Sequence, residues 1–82
     1  MPKNVIVYGL SNCPYCIMVK KFLEDNKIVF ENKNVGEDKS AAREMIEKTR
    51  QKSVPVIDIE GKIIIGFDKE GISKELGIET NN

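Results

Sequence analysis

Val5-Ile6-Val7-Tyr8-Gly9-Leu10-Ser11-Asn12-Cys13-Pro14-Tyr15-Cys16 runs from a strand into a helix and holds the only two cysteines of an 82-residue chain. Val5 to Tyr8 reads as a buried β run, Gly9 to Asn12 as a loop, and Ile17 to Asn26 as a helix. Both sulfurs therefore fall at a strand-to-helix turn. A helix N-terminus presents unpaired N–H groups and the positive end of the helix dipole, and both favour S⁻ over SH. The thiolate is the species that attacks a disulfide, so the placement argues for reactivity as well as matching a pattern. Pro14 suits the first helical position, with its fixed φ and missing N–H.

Composition narrows what the pair can be. A tetrahedral zinc site takes about four ligands, and the chain has no histidine and no third cysteine. A bridge across two intervening residues closes a very short loop and removes little unfolded-state entropy, which argues against a purely structural disulfide. A reversible dithiol/disulfide couple is the leading reading; inert thiols and a metal shared between chains are the alternatives. Thirteen basic residues balance thirteen acidic ones, unlike the basic footprint of a nucleic-acid binder. No apolar segment has the length of a signal or a membrane span. A cytoplasmic, monomeric protein is expected, built as one domain over residues 1–82 with a frayed tail from Glu79 to Asn82.

Further along, Val19, Phe22, Leu23 and Asn26 share one helical face, with Ile17 on the opposite side. A second strand is expected from Ile28 to about Asn34. Between Lys39 and Arg50 the spacing puts Ala42, Met45, Ile46 and Thr49 on the core face and turns Arg43, Glu44, Glu47 and Lys48 to solvent. Val56 to Ile59 and Lys62 to Ile65 flank a Glu60-Gly61 hairpin turn, and a last helix from Lys69 to Leu76 stops at Gly77. The order β-α-β-α-β-β-α predicts a four-stranded mixed sheet with helices on both faces. The first two strands are parallel through a right-handed crossover, and CxxC beside a βαβ unit points to a thioredoxin-like fold.

Three motifs in sequence order carry a resemblance over nearly the whole chain: Cys13-Pro14-Tyr15-Cys16, Ser53-Val54-Pro55, and Gly66-Phe67-Asp68. In this order they resemble the glutaredoxins. The resemblance implies a thiol–disulfide oxidoreductase that reduces protein disulfides and glutathione mixed disulfides at a redox-active Cys13/Cys16 centre. Cys13, nearer the helix start, is the expected nucleophile, and Cys16, one turn in, the resolving thiol. Pro55 is implied to be cis, with Val54 offering its backbone to an extended substrate. Glutathione is the implied cosubstrate, with no bound cofactor and no metal. Its γ-glutamyl carboxylate would meet the N–H groups of Phe67 and Asp68, and its ammonium the Asp68 carboxylate. Gln51 or Lys52 would meet the glycyl carboxylate. Tyr15 would line the groove or pack on the preceding loop, and Asp68 is also placed to cap the last helix.

Two departures matter. Many glutaredoxins carry a lysine three residues before the nucleophile, where this chain has Leu10. They also show Gly-Gly, a variable residue, then Asp-Asp, where this chain reads Ile65-Gly66-Phe67-Asp68-Lys69. Gly66-Phe67 is similar to the glutaredoxin-like electron donors of ribonucleotide reductase, which implies a second set of partners: that enzyme, and thioredoxin reductase as the source of electrons. A third reading, from some family members, is an iron–sulfur cluster shared by two chains through Cys13 and two glutathiones; Pro14, by stiffening the helix start, argues against it.

Overall fold

The computed structural model describes residues 4–78, so the Glu79–Asn82 tail lies outside the described residues. The elements are β1 (Val5–Gly9), α1 (Pro14–Asp25), β2 (Glu31–Asn34), α2 (Lys39–Thr49), β3 (Val56–Ile59), β4 (Lys62–Ile65) and α3 (Lys69–Leu76). They form a thioredoxin-like fold, a four-stranded mixed sheet in the order β2-β1-β3-β4. β1 runs parallel to β2 and antiparallel to β3, which pairs antiparallel with β4. The Glu60-Gly61 turn has positive φ at both residues, the conformation that suits the twist of a two-residue hairpin.

Alternation along the central strands sorts side chains to the two faces. Val5, Val7, Ile57 and Ile59 meet Val19 and Leu23 of α1 and Ile72 of α3 on one face. Tyr8 and Val56 meet Met45 of α2 on the other. On α1 the expected stripe is present: Val19 and Leu23 are fully buried and Phe22 is packed against them. Cys16 joins this buried face one turn from the helix start.

Two expectations need correction. The second strand starts at Glu31 rather than Ile28, and Val29 is 83% exposed. Lys27 takes a left-handed φ of 59° and the Ile28 N–H returns to the Leu23 carbonyl, so the chain is still leaving α1 at that point. Only from Glu31 does it lie beside Ile6 and begin to pair. α2 is also turned relative to the periodicity reading. Ala41 and Met45 are its buried residues, while Ile46 is exposed. Ala42 and Thr49 are half-buried, and Glu44 and Lys48, though still open to solvent on one side, reach back to polar groups of the sheet.

Their partners explain the rotation. Tyr8, fully buried, donates its hydroxyl proton to Glu44 and accepts from Lys48 Nζ at 2.7 Å. Asp58, only 7% exposed, accepts from Lys48 Nζ at 2.6 Å. Lys33 of β2 closes the cluster on Glu44 at 3.0 Å. Polar groups under a helix are costly unless paired, so the helix face that can pair them outcompetes the more apolar face.

Candidate active site

Four segments converge at one end of the sheet: the end of β1, the start of α1, the Val54-Pro55 approach to β3, and Gly66-Phe67-Asp68 after β4. Cys13 is the N-cap of α1, with extended backbone, and its Sγ accepts the Cys16 N–H at 3.3 Å. Pro14 occupies the first turn. The helix thus aims an unpaired N–H and the positive end of its dipole at the first sulfur. Cys13 is partly exposed, whereas Cys16 is 0% exposed; both are free thiols. Gly9, expected to open the loop, instead ends β1 and is what admits the second sulfur. A Cβ at Gly9 would stand 2.8 Å from Cys16 Sγ.

Pro55 is buried and follows a cis peptide bond. Its carbonyl accepts the Gly66 N–H at 2.8 Å, tying the second motif to the third. Among the described residues, neither the N–H nor the carbonyl of Val54 takes a partner within the chain. Asp68 caps α3, accepting the Gly71 N–H at 3.0 Å through Oδ1. The Asp68 N–H is turned to the Gly66 carbonyl at 3.0 Å. The Phe67 ring packs edge-on to Phe22 at 6.1 Å, and the residue is half-buried. Tyr15 is 61% exposed beside the cysteines. Gln51 does not reach outward: its amide donates to the Ser53 carbonyl and its oxygen accepts the Ser53 N–H at 2.6 Å. Lys52 is exposed. Leu10 is half-buried against Gly36, where a Cβ would come within 2.7 Å of its side chain.

Residues 5–64 match the glutaredoxin family model. The chain belongs to the glutaredoxin family. It is 40% identical over 68 residues to a glutaredoxin-like 8.6 kDa protein in the rubredoxin operon of Clostridium pasteurianum, a match covering 83% of this chain and 91% of that one. It is 33% identical to the glutaredoxin-like protein NrdH of Lactococcus lactis, over 85% of this chain and 96% of that one. Among solved structures, a mutant of the thioredoxin-like protein BC3987 superposes with a TM-score of 0.88 at 32% identity, covering 93% and 97% of the two chains. Glutaredoxins are thiol–disulfide oxidoreductases, and so is this chain. No helix among the described residues is long and apolar enough to cross a membrane.

The two thiols of this glutaredoxin differ in environment. Burial, and then the bond with the Cys13 sulfur, push the Cys16 thiol up from 9.0 to about 11. The folded protein holds that proton more tightly than the unfolded chain does. The associated stability is therefore complete below about pH 9 and is lost as the pH rises towards about 11. Urea unfolding across this window should show the midpoint falling for the wild type and falling less steeply for Cys16→Ser. Equal slopes would show that Cys16 carries no such linkage.

Proposed function

We propose that the Cys13/Cys16 couple reduces disulfides of proteins and of glutathione adducts, with Cys13 attacking and Cys16 resolving. The unengaged backbone of Val54, at the same end of the sheet as the partly exposed Cys13, carries this reading, because it offers one donor and one acceptor to an extended disulfide-bearing segment. Cys13 thiolate attacks one sulfur of the substrate, the S–S bond breaks, and the other sulfur leaves as a thiolate. In the mixed disulfide Cys16, one helical turn away, attacks the Cys13 sulfur and gives up its proton to the departing substrate thiolate. The new Cys13–Cys16 bond releases the second substrate thiol, and no prosthetic group is required.

Glutathione is the first reading for the return of electrons. The Phe67 N–H has no partner among the described residues, Asp68 keeps its Oδ2 oxygen, and Lys52 is exposed for a carboxylate. A flavoprotein reductase, serving a ribonucleotide reductase donor, is favoured by a separate observation. The Asp68 N–H and the Gln51 side chain are both occupied internally, and Leu10 brings no cation. Reduction of a small disulfide by glutathione with glutathione reductase, compared with reduction by thioredoxin reductase, tests the choice. If glutathione is used, Leu10→Lys should raise its turnover a few-fold, since one exposed charge pair contributes about 0.2–1 kcal/mol. The gain should shrink at high salt. Brisk turnover with thioredoxin reductase and none with glutathione, in both proteins, decides for the flavoprotein.

A further inference from the structure

We infer that Lys48 is a positioning residue for substrate binding, setting the Val54 backbone through its bonds to Asp58 and Tyr8; the inference rests on the pairing role proposed for Val54. α2 buries only Ala41 and Met45 fully. So small an apolar footprint constrains rotation of a helix weakly, and directional bonds must supply the rest. Glu44 reaches Tyr8 on β1 and Lys33 on β2, while Lys48 reaches Asp58 on β3 and Tyr8 on β1. One helix is thus bonded to three strands. Burial alone would pull the Lys48 ammonium down, but its bonds to Asp58 and Tyr8 outweigh this and hold it above the ordinary lysine range. The bond to Tyr8 pulls Glu44 below the ordinary carboxylate value, and the bond to Lys33 adds to this.

The clamp lies immediately before the segment that carries Val54. Thr49, next to Lys48, donates its hydroxyl proton to the Met45 carbonyl at 2.8 Å and accepts the Gln51 N–H at 3.4 Å. Arg50 then turns the chain with a left-handed φ of 59°, and Gln51 braces Ser53. Beyond Val54, Pro55 and Val56 are held by Gly66 and Tyr8. Val54 packs its half-buried side chain on the Tyr8, Met45 and Val56 cluster, between the sheet and the end of α2 that Lys48 fastens. Loosening Lys48 releases the second support without touching either cysteine.

The test compares a peptide disulfide, its main-chain N-methylated counterpart and a small hydroxyalkyl disulfide. Lys48→Met leaves Asp58 buried beside an apolar chain and can fail to fold, so Lys48→Gln, which keeps a donor, carries the test. In folded Lys48→Gln, KM for the peptide should rise about three- to ten-fold. Its kcat, turnover of the small disulfide and alkylation of Cys13 should stay unchanged, and Lys48→Arg should restore KM. If the wild type prefers the peptide over its N-methylated form and Lys48→Gln keeps that preference and KM, the clamp is overturned while the Val54 reading stands. If the wild type shows no preference, both are overturned. A loss of Cys13 alkylation in Lys48→Gln also overturns the inference, because the effect would then be general.

Discussion

Cys13→Ser is expected to bring thiol–disulfide exchange down to the uncatalysed rate with every disulfide, whereas Cys16→Ser keeps one half of the chemistry. A serine hydroxyl cannot replace a thiolate as the attacking group at neutral pH. The N-cap geometry survives the first substitution, because serine accepts the same N–H that Cys13 Sγ accepts from Cys16. The lost rate is therefore chemical rather than structural. Cys16→Ser leaves the partly exposed Cys13 sulfur in place. With glutathione supplied as a second thiol it should still remove glutathione from mixed disulfides, while reduction of protein disulfides through the dithiol route stops. Equal loss in the two variants contradicts the division of labour.

The largest effect on stability is expected at Leu23. It is fully buried on α1 and packs with Val5, Val7, Val19, Ile57 and Ile72. Leu→Ala at such a site removes transfer free energy and leaves a cavity, at a cost of about 2–5 kcal/mol. For a domain this small, stability totals about 0.05–0.15 kcal/mol per residue, so the substitution takes away a large part of it. A loss of about 3 kcal/mol lowers Tm by about 12–24 °C. Ile17→Ala on the same helix removes an exposed side chain and should shift Tm by a few degrees at most. Thermal unfolding of both variants checks this; similar shifts would show that α1 is not held by that face.

The elements whose signals are local were legible in the residues. Pro14 after the capping Cys13, Glu60-Gly61 between two apolar runs, and Gly77 after Leu76 each mark a boundary through a backbone preference, and the structure places boundaries there. The thioredoxin-like fold followed from the order of those elements. What was illegible depends on contacts far apart in sequence. The start of β2 is set by pairing with β1, which nothing within Ile28-Val29-Phe30 encodes. The rotation of α2 is set by Tyr8 and Asp58, the latter 10 residues beyond Lys48. One sign was available: Asp58 interrupts an apolar strand, and Glu44 and Lys48 stand four apart on a helix, a spacing that puts a carboxylate and an ammonium on one face. At the site, Cys13 caps α1, Cys16 lies buried one turn on, and Pro55 follows a cis bond just before β3. Gln51 does not join them, because its amide fits its own loop better than open solvent.

Peptide mapping of the reduced wild-type protein after limiting alkylation tests the central claim most directly. With iodoacetamide at neutral pH and less than one equivalent per chain, the label should appear on Cys13 and be absent from Cys16. The first sulfur is partly exposed and faces a helix N-terminus, while the second is fully buried with its proton held up to about pH 11. Label on Cys16 first, or shared equally between the two cysteines, would contradict the account.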